Sequence, residues 1–204
     1  MKSTTFYQLL VDASGSMSGS EAATVSTLNE QIAMVRRLAT ENSDEQFQLG
    51  ITDFSSDMRV VRAMDPVDSI PEINPEEYQV RDSTALYDTL GTTVVRLESA
   101  HLERKDNQGD SFVVVVVTDG YENASRHYNL NTLKSLLGRL EDTGKWEFRF
   151  IGADFLTDDF TASLNLKRAK AHRIRKNQMH SLNVYMDAEM KSLLRQKKGG
   201  GWWD

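Results

Sequence analysis

Phe6-Tyr-Gln-Leu-Leu-Val-Asp-Ala-Ser-Gly-Ser-Met-Ser-Gly-Ser20 is the stretch whose reading decides the fold. Phe6–Val11 is a short apolar run of strand-forming types that breaks at once into a turn of Asp, Ser and Gly. Beyond the turn, Val25, Leu28, Ile32, Val35 and Leu38 recur on one face of a helix over residues 21–40. Ser20 is placed as its N-cap, with Glu21 favourable in the first turn. A buried strand turning directly into an amphipathic helix is the opening unit of an α/β sheet. Such sheets bind ligands beyond the carboxyl ends of their strands, where the strand order reverses.

The rest of the chain extends that unit. Phe47–Phe54 and Met58–Met64 read as strands joined by Ser55, Ser56 and Asp57, a connection short enough to make the pair an antiparallel hairpin. A loop over 65–82 holds all three prolines and delivers the chain to Ser83 and Thr84. A helix over 85–103 follows, with Gly91 inside it as a point of close packing. Ser111–Val117 carries five consecutive valines, the mark of a central strand covered on both faces. Then come a helix at 130–141, a strand at 146–152, a short helix near 158–166, a weak edge strand at 171–176 and a last helix at 181–196. The expected architecture is a doubly wound, mostly parallel sheet with an antiparallel edge strand and helices on both faces. Residues 1–157 are assigned to the domain core, 158–198 to a basic helical region packed on it, and 199–204 to a flexible Gly-Trp tail.

Five oxygen-bearing residues fall at the ends of these elements: Asp12, Ser14 and Ser16 after the first strand, Thr84 at the start of the second helix, and Asp119 after the valine strand. Carboxylates and hydroxyls without His or Cys are the ligand set of a hard divalent cation such as magnesium. A bland reading stands beside this one, in which the Ser-Asp-Gly runs are only turns that end strands and begin helices. Asp53 ends the second strand, and a place behind the site is the lesser reading of it; Asn123 is expected to cap the segment that follows it.

At this point the chain resembles the von Willebrand factor A domains. Asp12-Ala-Ser14-Gly-Ser16 matches the D-x-S-x-S signature of that family, and Thr84 and Asp119 stand where it places the remainder of its metal-ion-dependent adhesion site. STALYDTLG at 83–91, TDGYENASRHY at 118–128 and WEFRFIGA at 146–153 are similar to small intracellular bacterial and phage members, and the likeness covers roughly residues 5–155. The resemblance implies a cation, magnesium or else manganese or calcium, held by Asp12, Ser14, Ser16, Thr84 and Asp119. It implies hydroxyls that touch the metal directly and acids that alternate between direct and water-mediated contact. It implies binding rather than catalysis, through an Asp or Glu carboxylate of a partner protein. Partners in that group include AAA-type ATPases and proteins of stress-resistance, conflict and phage systems. Asp82 departs from the pattern, since the subgroup has Gly there, and so puts ligand preference in question.

Composition narrows the remaining classes. The 204 residues include no cysteine, which removes disulfides and thiolate zinc sites and suits a reducing cytoplasm. No stretch is long enough to span a bilayer, and the apolar run after Met1 is too short for a signal peptide. The net charge of −6 is uneven: residues 160–204 hold ten Lys or Arg against Asp187, Glu189 and Asp204. Nucleic-acid binding is the weaker reading of that asymmetry; the stronger is that basic helices pack on an acidic body. His101, His127, His172 and His180 lack metal-ligand spacing. A magnesium-dependent phosphohydrolase is disfavoured because Ser14 occupies the place of the second acid in a D-x-D pair. A structural or assembly role is the other alternative, with the basic C-terminal region and Trp202 and Trp203 as the interface and the metal only stiffening loops. A separate reading has Asp204 or the terminal carboxylate reach the metal of a neighbouring copy.

Overall fold

A computed structural model describes residues 3–104, 108–152, 155–174 and 181–199. The tail at 200–204, with Trp202, Trp203 and Asp204, lies outside the described residues, as do His180 and the end of the edge strand expected at 171–176. Six strands form one sheet: β1 Ser3–Asp12, β2 Glu45–Phe54, β3 Met58–Pro66, β4 Ser111–Val117, β5 Trp146–Gly152 and β6 Lys170–Arg173. Their order is β3-β2-β1-β4-β5-β6. Every pairing is parallel except β2 with β3, which is the expected antiparallel edge.

Side-chain alternation divides the core in two. Tyr7, Leu9 and Val11 of β1 and Val113, Val115 and Val117 of β4 face α1 (Glu21–Glu41) and α5 (Ser181–Lys198). Phe6 and Leu10 of β1 and Phe112, Val114 and Val116 of β4 face α2 (Leu86–Leu102), α3 (Leu130–Asp142) and α4 (Phe155–Leu164). All seven residues of β4 are buried, because a central parallel strand has helices on both sides. The chain leaves β1 toward β2 and β3, then returns to the other flank of β1 as β4. The strand order therefore reverses between β1 and β4, and their carboxyl ends, Asp12 and Val117, open onto the crevice.

The basic C-terminal region offsets acids of the body. Lys167 pairs with Asp142, Lys197 with Glu45 and Lys198 with Asp44. Lys170 and the fully buried Arg149 share Glu189, and Arg149 also bonds Glu147. β6 belongs to the sheet and α5 runs alongside α1, so this region completes the same layers.

Ser20 corrects one expectation. It stands at the start of α1 but makes no side-chain cap; its hydroxyl instead donates to the Met17 carbonyl. A single 3-10 turn over Gly15–Met17 brings the chain in too tightly for Ser20 to take the extended backbone of a capping residue.

Gly91 does permit close packing. A Cβ built there would lie 2.6 Å from the ring of Tyr128, in the loop that follows β4. Replacing a helical glycine by alanine is worth about 1 kcal/mol in propensity, but overpacking a tight contact costs about 1–3 kcal/mol. Gly91→Val is therefore expected to lower stability in urea unfolding, and Gly91→Val with Tyr128→Ala to recover part of the loss.

Candidate functional site

The turn after β1 is folded around its own acid. Asp12 is fully buried, and its Oδ1 accepts the Ser14 backbone N–H at 2.7 Å. Its Oδ2 accepts the hydroxyl of Thr118, the residue that follows β4. These bonds turn the hydroxyls of Ser14 and Ser16 together, with their Oγ atoms 3.0 Å apart. The Ser16 hydroxyl in turn donates to Asp119 Oδ1 at 2.6 Å. Residues 103 positions apart in sequence are thus joined across the mouth of the crevice.

Thr84 is brought to the same point by a framework that the sequence reading missed. The first residues of α2 have no cap of their own, since Ala85 offers no side-chain acceptor. The loop after β4 supplies the acceptors in trans: Glu122 takes the Tyr87 N–H at 2.9 Å, and the Ser125 hydroxyl takes the Asp88 N–H at 3.0 Å. Glu122 also accepts the N–H groups of Ala124 and Ser125 and the Ser125 hydroxyl, so its carboxylate is fully used. Asn123 does not cap the segment after it, as expected, but reaches back to accept the Thr84 N–H at 2.8 Å. The Thr84 carbonyl answers by accepting the N–H groups of Asn123 and Ala124. The signal was present as Glu122-Asn123-Ala124-Ser125, but periodicity does not reveal that a loop caps a helix from another part of the chain.

Gly120 shows how closely the oxygens converge. A Cβ placed on it would lie 2.9 Å from Thr84 Oγ1, 3.1 Å from Asp12 Oδ2 and 3.2 Å from Ser16 Oγ. One small region beside the Thr118–Gly120 turn thus sees oxygens from two separated motifs, Asp12/Ser16 and Thr84. Asp82 is exposed, and its carboxylate is not among the oxygens nearest that point.

A second set of contacts holds the long loop over the end of β1. The Tyr78 hydroxyl donates to the Asp12 carbonyl, and the Arg81 N–H donates to the Ala13 carbonyl. Asp53 lies behind the site, the lesser of its two sequence readings, almost fully buried between the guanidinium groups of Arg59 and Arg81. It acts by tethering Arg81 and so the segment that leads into Thr84. His101 is a buried partner of Asp110, and His172 stacks on Tyr185; neither is at the crevice.

Electrostatics fit a cation. Burial pushes the Asp12 carboxyl above its ordinary value; hydrogen bonds from Ser14 and Thr118 pull it down, and the charge of Asp119 raises it further. A positive ion among these oxygens would relieve both the desolvation and the repulsion. Among the described residues no three His, Cys, Asp or Glu side chains are grouped to hold a metal. The donors here are two acids and three hydroxyls, a set suited to a hard cation that retains much of its charge.

An open, doubly wound α/β domain with an oxygen-lined crevice at its switch point is the class that this fold and site define. The sequence matches the profile of the von Willebrand factor type A domain over residues 8–183, and the chain belongs to that family. Among solved structures it is similar to a von Willebrand factor type A protein from Catenulispora acidiphila, with TM-score 0.63 and 15% identity over 91% of this chain and 42% of that one. It is also similar to the ArnB paralog VWA2 from Sulfolobus acidocaldarius, with TM-score 0.61 and 14% identity over 91% of this chain and 44% of that one. The PilB minor pilin from Streptococcus sanguinis gives TM-score 0.63 and 12% identity over 93% of this chain and 62% of that one. In each case the chain spans less than two thirds of the matched structure. A search of curated proteins found no match.

Glu122→Ala strips the acceptor from the Tyr87, Ala124 and Ser125 N–H groups. A cost of about 1–3 kcal/mol is expected in urea unfolding, with faster hydrogen exchange at those amides and at Thr84. Unchanged exchange at Thr84 would show that the loop does not position it.

Proposed function

We propose that this chain is a non-catalytic docking module that captures an acidic side chain of a protein partner through a divalent cation. The observation that supports this reading most is the convergence of Asp12, Ser16 and Thr84 oxygens on the space beside Gly120. Asp12, Ser14, Ser16, Thr84 and Asp119 are the residues that would hold the cation, magnesium before manganese or calcium. When bound, it would supply an electrophilic coordination position for a carboxylate oxygen of the partner. The chain's own part is to fix the oxygens beforehand: Asp12 orders the serine turn, and the Asn123 and Glu122 contacts fix Thr84. The Ser14 and Ser16 hydroxyls are engaged with each other and with the Asp119 carboxylate, an arrangement that favours oxygens held for a cation.

Calorimetric titration tests the reading. Magnesium or manganese is expected to bind one site and, at about a hundred times its Kd, to add about 2.7 kcal/mol to the unfolding free energy. Asp12→Ala and Thr84→Ala should lose that increment. Stability indifferent to both metal and chelator would overturn the metal; magnesium-dependent turnover of a phosphate ester, lost in Asp12→Asn, would overturn the non-catalytic assignment.

A further inference from the structure

Tyr121 and the two poles of the molecule carry an inference about the partner of this site, and it rests on the docking function proposed above. Tyr121 is 72% exposed, the most exposed large hydrophobic side chain among the described residues. It directly follows Gly120, beside which the oxygens converge, and precedes Glu122 and Asn123, both pinned to the α2 segment. An exposed aromatic ring is therefore mounted on fixed backbone at the rim of the crevice. Single exposed apolar residues are ordinary; one held rigidly beside a convergent oxygen cluster is placed to receive an apolar neighbour of the bound acid.

The chain contains such a sequence. Trp202-Trp203-Asp204 sets two aromatic rings directly beside a carboxylate. Its starting point is fixed by α5, which runs parallel to α1 away from the crevice: Asn183 contacts Gln31, Asp187 contacts Arg37, and Lys198 contacts Asp44. Near the end of α5, Lys197 bonds Glu45, whose register partner is Ser3, the first residue of β1. The crevice lies at the other end of β1, about 30 Å away at the rise of a parallel strand. The five residues beyond Gly199 reach at most about 18 Å. Asp204 therefore cannot reach the site of its own molecule.

We infer that Trp202-Trp203-Asp204 of one copy docks in the crevice of a second, with Asp204 at the metal position and a tryptophan ring against Tyr121. The contact is head-to-tail, so repetition builds an open chain or a ring.

Sedimentation of the full chain over a concentration series, with magnesium and with chelator, tests this. Mass should rise with concentration only in magnesium. Removing residues 200–204, or Asp204→Asn, should leave a monomer, and Tyr121→Ala should weaken association at least about tenfold. Thr84→Ala protein, which keeps its tail, and tail-trimmed protein, which keeps its site, should each be monomeric alone and form a 1:1 dimer when mixed. Manganese binding to the trimmed protein, read by electron paramagnetic resonance, separates the two readings. If manganese binds and the full chain stays monomeric, or associates equally without residues 200–204, the tail contact is wrong and the docking function stands. If manganese does not bind, both fail.

Discussion

The pairing of β1 with β4 is the constraint on which the rest depends. Seven residues of β1, Thr5–Val11, lie in parallel register with Ser111–Val117, so the two strands end level and their following turns open side by side. Asp12 and Thr118 are then near enough for one to accept the other's hydroxyl. The same register brings Asp119 to Ser16 and lets Glu122 and Asn123 reach the start of α2. A one-residue slip would turn Val113, Val115 and Val117 onto the wrong face and separate these contacts together. Burial of both faces of β4 thus sets the register that assembles the crevice.

Much of this was legible in the sequence because it rests on periodicity and punctuation. The valine run marks a doubly covered strand and the short Ser55–Asp57 connection favours a hairpin, and the mixed sheet has both. Asp53 stands behind the site because β2, which it nearly ends, pairs with β1; the sequence alone left that as a lesser reading. Ser20 and Asn123 were misjudged because a short polar residue before a helix reads as a local cap, whereas Ser20 is spent on the 3-10 turn just before it and Asn123 on Thr84, 39 residues away. The trans cap of α2 by Glu122 and Ser125 left no local pattern, since its donors lie 35 and 37 residues from its acceptors.

Charge distribution follows the same logic. The acidic body and basic C-terminal region fit together through ion pairs of Lys167, Lys170, Lys197 and Lys198 with Asp142, Glu189, Glu45 and Asp44. Lys197 is the strongest instance: burial lowers its pKa from the ordinary value, and Glu45 with the Ser111 hydroxyl receives the ammonium group. Glu45 also accepts the hydroxyls of Ser3 and Thr5, so the far pole of the sheet has a saturated polar cluster. Removing one member would leave the others buried without partners, which is costlier than the pair itself is stabilising.

The side-by-side course of α5 and α1 sets a mechanical property of the molecule. Tyr7 of β1 bonds Gln31 of α1; Gln31 bonds Asn183, Arg37 bonds Asp187 and Lys197 bonds Glu45, three polar rungs that tie α5 to α1 and to the start of β2. Each rung accepts only one axial position, because its members are specific donors and acceptors rather than interchangeable methyl groups. A one-turn slide of α5, about 5.4 Å, would part Asn183 from Gln31, Asp187 from Arg37 and Lys197 from Glu45 together. The helix is thereby keyed like a shaft in a slot: it stays seated or leaves entirely, and it has no intermediate stop.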